Sequence, residues 1–156
     1  MSDKEELFAG LLVDVERILG GPEGPEEKLR AVTILLRERV DRYDWVGFYL
    51  VDGPKRELVL GPYSGEPTEH VRIPFGRGVC GQAAERERTL VVQDVAGEEN
   101  YLSCSPSVQS EIVVPLFRGD RLVGELDVDS HTPAAFSEED QTFLARVGET
   151  AAGLLG

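Results

Sequence analysis

The side chains best suited to chemistry are two cysteines and a row of acids. Cys80 sits in the stretch Ile73 to Asp94, IPFGRGVCGQAAERERTLVVQD, where Gly76, Gly78 and Gly81 spell G-x-G-x-x-G between a strand-like and a helix-like run. That is the outline of a dinucleotide-binding fingerprint, whose glycines let the backbone approach a pyrophosphate. The same loop can present a thiol. A cysteine in the first turn of a short helix meets unpaired N–H groups and the positive end of the dipole. With Arg72 or Arg77 adding charge, Cys80 is expected to be more acidic than a free cysteine. The plainer alternative is a small buried residue packed under the helix.

Cys104 lies in GEENYLSCSPSVQSEIVV, a long, polar, proline-containing connection between strands. Loops of that length in a compact domain are commonly functional, although an incidental exposed thiol is the alternative. Glu111 follows at the head of an apolar strand. The run GELDVDS then alternates Glu125, Asp127 and Asp129 with Leu126 and Val128, so three carboxylates share one face of a sheet. A solvated face alternates in the same way. Three like charges in a row repel, however, and become useful where a proton or a cation such as a substrate ammonium sits among them. Cys80, Cys104, His70 and His131 would make a zinc set in number, but no C-x-x-C or H-x-x-x-H spacing brings them together, so neither metal nor cofactor is expected.

The elements that must hold these residues read as follows. From Asp3 to Leu19, apolar Leu7, Leu11, Leu12, Val15, Ile18 and Leu19 recur at helical spacing. After GGPEGP, Pro25 with Glu26 and Glu27 opens a second helix, with proline in the first turn and carboxylates near the positive dipole end. WVGFYLVD (45–52) and RELVLGP (56–62) predict a hairpin. HVRIPF (70–75), TLVVQD (89–94), EIVVPLF (111–117) and LVGELDVDS (122–130) predict further strands, the last two paired through the turn RGDR. Ser137, with Asp140 three positions on, is a capping-box start for a C-terminal helix. The sum is an α+β arrangement: a central antiparallel sheet of about six strands with the N- and C-terminal helices packed on one face. One domain is expected over 1–156, with helices over 1–40, sheet and active-site loops over 44–130, and a closing helix over 137–155.

This layout disfavours a nucleotide-binding ladder. Pro74 cannot donate a hydrogen bond in a central parallel strand, two helices precede the first strand, and hairpins flank the loop. Only about ten residues separate Gly78 from Arg88, short for a parallel crossover. The 156 residues, 41% hydrophobic and 29% charged, suit an ordinary globular domain. A formal net charge of -13 repels phosphate backbones and anionic membranes, so nucleic acid and membrane are not expected partners and a small ligand is favoured. The opening MSDKEELFAG has no apolar run of signal-sequence length, which makes the cytoplasm the expected compartment.

The segments DWVGFYL, LVLGPYSGEP, VRIPFGRGVCGQAA, SEIVVPL and GELDVDS resemble, in order and spacing, the free methionine-(R)-sulfoxide reductases, small members of the GAF fold. The likeness runs over about residues 40 to 145. It implies an oxidoreductase acting on free methionine-(R)-sulfoxide, with Cys104 as nucleophile, Glu111, Asp127 and Asp129 around the substrate, and Trp45 and Tyr49 near its methyl-sulfinyl end. It also implies a homodimer recycled by thioredoxin or another dithiol. The family's usual third cysteine, ten residues before Cys80, is His70 here, and Ser105 stands where an aspartate often follows the nucleophile. Attack by the Cys104 thiolate needs a protonated leaving oxygen, so at least one of Glu111, Asp127 and Asp129 is expected to have a raised pKa and act as acid. Cys104 would become a sulfenic acid and condense with Cys80 to a disulfide or, where Cys80 cannot reach, be reduced directly by a small thiol or thioredoxin. Two other readings are a ligand-binding GAF sensor, disfavoured by the lack of an output domain, and a substrate-free thiol switch.

Overall fold

The computed structural model describes residues 2–102 and 105–155. Its elements run α1 (Asp3–Leu19), α2 (Pro25–Arg39), β1 (Trp45–Asp52), β2 (Glu57–Ser64), β3 (Arg72–Pro74), α3 (Gly78–Arg86), β4 (Leu90–Val92), a 3-10 turn (Val95–Gly97), β5 (Ser110–Arg118), β6 (Arg121–Ser130) and α4 (Glu138–Ala152). The helix starts follow the sequence signals. Ser2 and Glu5 form a capping box on α1, Pro25 opens α2, and Ser137 with Asp140 caps α4.

The six strands form one sheet in the order β3-β2-β1-β6-β5-β4, and each neighbouring pair is antiparallel. The two strands at the ends, β3 and β4, are shorter than the sequence runs that predict them. Pro74 has no N–H to extend a ladder and lies on the edge, where proline is tolerated. Asp94, at the end of the run 89–94, turns away and accepts a hydrogen bond from Ala96 N at 3.0 Å. Pro115 in β5 lies beyond the residues that β4 pairs, so its missing donor interrupts no bond on that side.

Alternation along the strands divides the buried residues between two faces. Val46, Phe48, Ile112, Val114, Leu126 and Val128 pack against α1, α2 and α4, with Phe8 and Phe143 stacked at 4.1 Å between ring centres. Trp45, Tyr49 and Val113 point the other way and meet Val79, Cys80, Ala83 and Ala84 of α3. The N- and C-terminal helices therefore share one face as expected, and α3 with its flanking loops covers the second. No helix among the described residues is long and apolar enough to cross a membrane.

Asp140 ties the helical layer together. Its buried carboxylate accepts from Tyr43 Oη at 2.7 Å, from Ser137 N at 3.0 Å and from the Lys4 ammonium. Tyr43→Phe removes a buried bond to a charged acceptor, so it should lower stability by about 1.5–3 kcal/mol. Urea unfolding of the two proteins measures this, and a change below about 0.5 kcal/mol would mean that Lys4 and Ser137 satisfy Asp140 without the tyrosine.

Candidate functional site

The face under α3 is where the acids gather. In the cross-strand register, Asp129 lies between Trp45 and Glu111, Asp127 between Gly47 and Val113, and Glu125 between Tyr49 and Pro115. Glu111, Glu125, Asp127 and Asp129 are all buried, none more than 3% exposed. The alternation read from GELDVDS is thus correct in periodicity. The ordinary solvated-face explanation fails, because α3 and its loops close over the row.

Glycines allow that closure. Gly76 and Gly78 adopt φ of +92° and +67°, a region that favours glycine, and Gly76 N donates to Gly81 O at 2.8 Å. A Cβ on Gly81 would stand 2.6 Å from Pro74 O, so only glycine lets α3 sit this close to the incoming strand. On β1, a Cβ on Gly47 would overlap the Trp45 ring. That ring folds across the strand, stacks on Tyr63 at 5.4 Å, and donates from Nε1 to Glu66 O at 3.0 Å. Tyr49 Oη donates to His70 O at 3.0 Å.

At the centre, Cys80 Sγ lies 3.4 Å from Asp127 Oδ2 and 4.0 Å from Glu111 Oε2. The thiol is free and buried. Burial first, then the charges of Asp127, Glu111, Glu125 and Asp129, push it well above the ordinary thiol range. This corrects the expectation of an unusually acidic Cys80. The site is desolvated and crowded with anions, and those two effects outweigh the helix N-terminus; Arg77 is exposed, and the Arg72 guanidinium bonds Asp52 and Glu57 instead. Burial, then the charge of Asp127, likewise raises Glu125 well above the usual carboxyl value. Asp127 is raised by burial while hydrogen bonds with Glu111, Cys80 and Asp129 pull the other way.

The sequence-predicted residues fall into place unevenly. Cys80, Glu111 and Asp127 converge, and Tyr49 lines the same small cavity of about 10 Å3 with them. Trp45 and Asp129 share the face one register position further on. Cys104 lies outside the described residues, but Leu102, two positions before it, lines the cavity beside Gly78. His70 lines it too. His131 is instead 44% exposed beside Asp44 just past the end of β6 and does not line this cavity, so among the described residues the zinc set weighed from the sequence does not come together there. A wider groove of about 730 Å3 between α2, the β1–β2 hairpin and the β5–β6 turn contains neither cysteine nor a carboxylate cluster.

Two residues escaped sequence reading. Asn100 fastens the long connection to the glycine loop, accepting from Gly78 N and donating to Gly76 O, both at 2.8 Å. No short-range pattern marks it, since its partners are more than 20 positions away. Glu125 was visible as part of the acidic row, but its complete burial was not.

Comparison with known proteins follows the same outline. The GAF domain family matches residues 23–155. GAF domain-containing protein A of Dictyostelium discoideum is 42% identical, with 92% of this chain and 89% of that protein covered. Free methionine-R-sulfoxide reductase of Escherichia coli strain K12 is 36% identical over 93% of this chain and 86% of its own length. A structure of free methionine-R-sulfoxide reductase from Neisseria meningitidis, in complex with its substrate, superposes with a TM-score of 0.92 at 40% identity, covering 99% of this chain and 91% of that one.

The raised Cys80 pKa is directly measurable. In chelator-treated Cys104→Ser protein, alkylation of Cys80 followed against pH should have its midpoint above the ordinary thiol value of about 8.5. A midpoint near or below about 7 would mean that the helix dipole prevails after all.

Proposed function

The chain belongs to the GAF-domain family and to the free methionine-R-sulfoxide reductases within it, and on that premise we propose that it reduces free methionine-(R)-sulfoxide to methionine at the buried face beneath α3. The observation that carries this reading is the meeting of one thiol and a row of carboxylates under a closed glycine loop, with Trp45 and Tyr49 on the same face. The substrate has an ammonium for the acids to hold, a methyl-sulfinyl end for the aromatic rings, and an oxygen that must be protonated before it can leave.

In the proposed reaction, the Cys104 thiolate attacks the sulfoxide sulfur and takes the oxygen, ending as a sulfenic acid while the substrate sulfur is reduced by two electrons. Asp127 is the acid favoured by position. Its neighbours are a thiol and another carboxyl, and burial favours its protonated form. Having given its proton to the sulfoxide oxygen, Asp127 is left as a carboxylate 3.4 Å from the Cys80 thiol. It can then take the thiol proton as Cys80 attacks the sulfenic sulfur and pass it to the departing hydroxyl, releasing water and forming a disulfide. Glu111 and Asp129 remain to bind the ammonium.

This assignment gives Cys80 the resolving role although His70 replaces the family's usual third cysteine. A thioredoxin-type dithiol would then reduce the disulfide. A homodimer acting in the reducing cytoplasm belongs to the same reading.

Single-turnover assays with both sulfoxide epimers test it. Cys104→Ser should yield no methionine from the R epimer, whereas Cys80→Ser should give one full equivalent and fail only on recycling. Asp127→Asn should slow the first turnover by about 100-fold or more, the usual contribution of a positioned general acid. A full first turnover in Cys104→Ser would refute the nucleophile assignment, and an unchanged rate in Asp127→Asn would refute the acid.

A further inference from the structure

The carboxylate row presents an electrostatic problem that a bound amino acid solves only while it is bound. One oxygen each from Glu111 and Asp127, together with Cys80 Sγ, lie within 4.8 Å of one another, all three residues buried. Asp127 Oδ1 and both oxygens of Glu125 have no hydrogen-bond partner among the described residues, and Glu125 is 0% exposed, its charge felt at Cys80. Buried anionic oxygens without donors are costly unless protonated or met by a cation. Cys80, Glu111 and Asp127 line the small cavity already described, about 10 Å3, which is room for a single water-sized particle.

We propose that Cys80, Glu111 and Asp127 form a binding site for a thiophilic divalent cation of the zinc class. Two carboxylate oxygens and one thiolate form a mixed donor set that favours a borderline cation over magnesium or calcium, which take oxygen alone. With Zn–S near 2.3 Å and Zn–O near 2.1 Å, tetrahedral geometry puts sulfur and oxygen about 3.6 Å apart. The observed sulfur–oxygen separations of 3.4 Å and 4.0 Å bracket that value. Binding releases the Cys80 proton and any proton held by the Asp127 carboxyl to solvent, forms the sulfur–metal bond, and involves no change of oxidation state. Spacing along the chain conceals this site because its ligands come from α3, β5 and β6.

The site stands whether or not the pocket reduces sulfoxides. If it does, the reductase reading adds that the cation and the substrate ammonium compete for the same carboxylates, which makes zinc an inhibitor relieved by chelation.

Titration of the reduced, substrate-free protein with Zn2+ by calorimetry, and with Co2+ by absorption, tests the proposal. One equivalent per chain should bind, with a sulfur-to-cobalt charge-transfer band. Cys80→Ser should abolish that band and weaken Zn2+ by at least about 100-fold, beyond what loss of an outer-shell partner costs. Glu111→Gln and Asp127→Asn, each checked for folding by circular dichroism, should weaken Zn2+ while leaving the chain folded. Cys104→Ser should keep the band. Absence of one-equivalent binding would overturn the site, as would a band that survives Cys80→Ser and vanishes in Cys104→Ser. None of these readouts needs turnover, so they separate a failed metal site from a failed reductase assignment. Methionine sulfoxide added to the zinc-loaded protein should displace the ion, and equal Zn2+ affinity with and without it would show that the two ligands do not share the carboxylates.

Discussion

Four carboxyl groups and a thiol are buried together on one face of a sheet, and they cannot all be ionised there. Transfer of an ionised carboxylate from water to a protein interior costs several kcal/mol even after relaxation, and its like-charged neighbours add to that. The cluster holds together by keeping some members protonated, as the raised Cys80, Glu125 and Asp127 indicate, or by admitting a positive charge. Either way the site stores protons or calls for a cation. Both properties would serve the proposed reaction, in which an oxygen is protonated as it departs and an ammonium is held.

The rest of the fold makes this arrangement tolerable. The apolar residues of the opposite sheet face, Val46, Phe48, Ile112, Val114, Leu126 and Val128, pack under α1, α2 and α4 and supply the hydrophobic burial that offsets the polar face. Those three helices need no contact with the site. They fix β1, β5 and β6 as one rigid platform, so that Trp45, Glu111 and Asp129 line up by register alone. The covering layer is thinner, with one short helix, a glycine loop at positive φ, and the long connection fastened by Asn100. Rigidity on one face and a light cover on the other is what a site needs when its ligand must enter and leave.

Local patterns in the sequence disclosed much of this. Strand and helix types, the capping boxes and the antiparallel pairing follow from periodicity, turn residues and caps, whose causes lie within a few residues of one another. The shared face of Glu125, Asp127 and Asp129 follows from the period of two. Their burial does not, because it depends on α3, which lies some 40 positions earlier in the chain. The same omission reversed the reading of Cys80. From neighbouring residues alone it is a thiol at a helix start near arginines, and folding adds acids from β5 and β6 while leaving Arg77 in solvent. Asn100 is illegible for the same reason, since its value lies in contacts with Gly76 and Gly78. Local causes can be read from the chain, whereas a pKa is a property of the assembled surroundings.

The size of the enclosed space carries the last step. A cavity of about 10 Å3 beside Cys80 and Asp127 has room for one water or one ion and not for an amino acid. A substrate with an ammonium, a carboxylate and a sulfinyl group can reach Glu111 and Asp127 only by displacing what covers them. The sheet cannot yield, because β1, β5 and β6 are paired along their lengths. The cover can, because exposed Asn100 and partly exposed Leu102 join it to the glycine loop through a few hydrogen bonds and one apolar contact. Entry of an amino acid would therefore move the segment that leads into Cys104. A ligand small enough to fit without that movement, such as a proton, would occupy the acids and leave the cover in place.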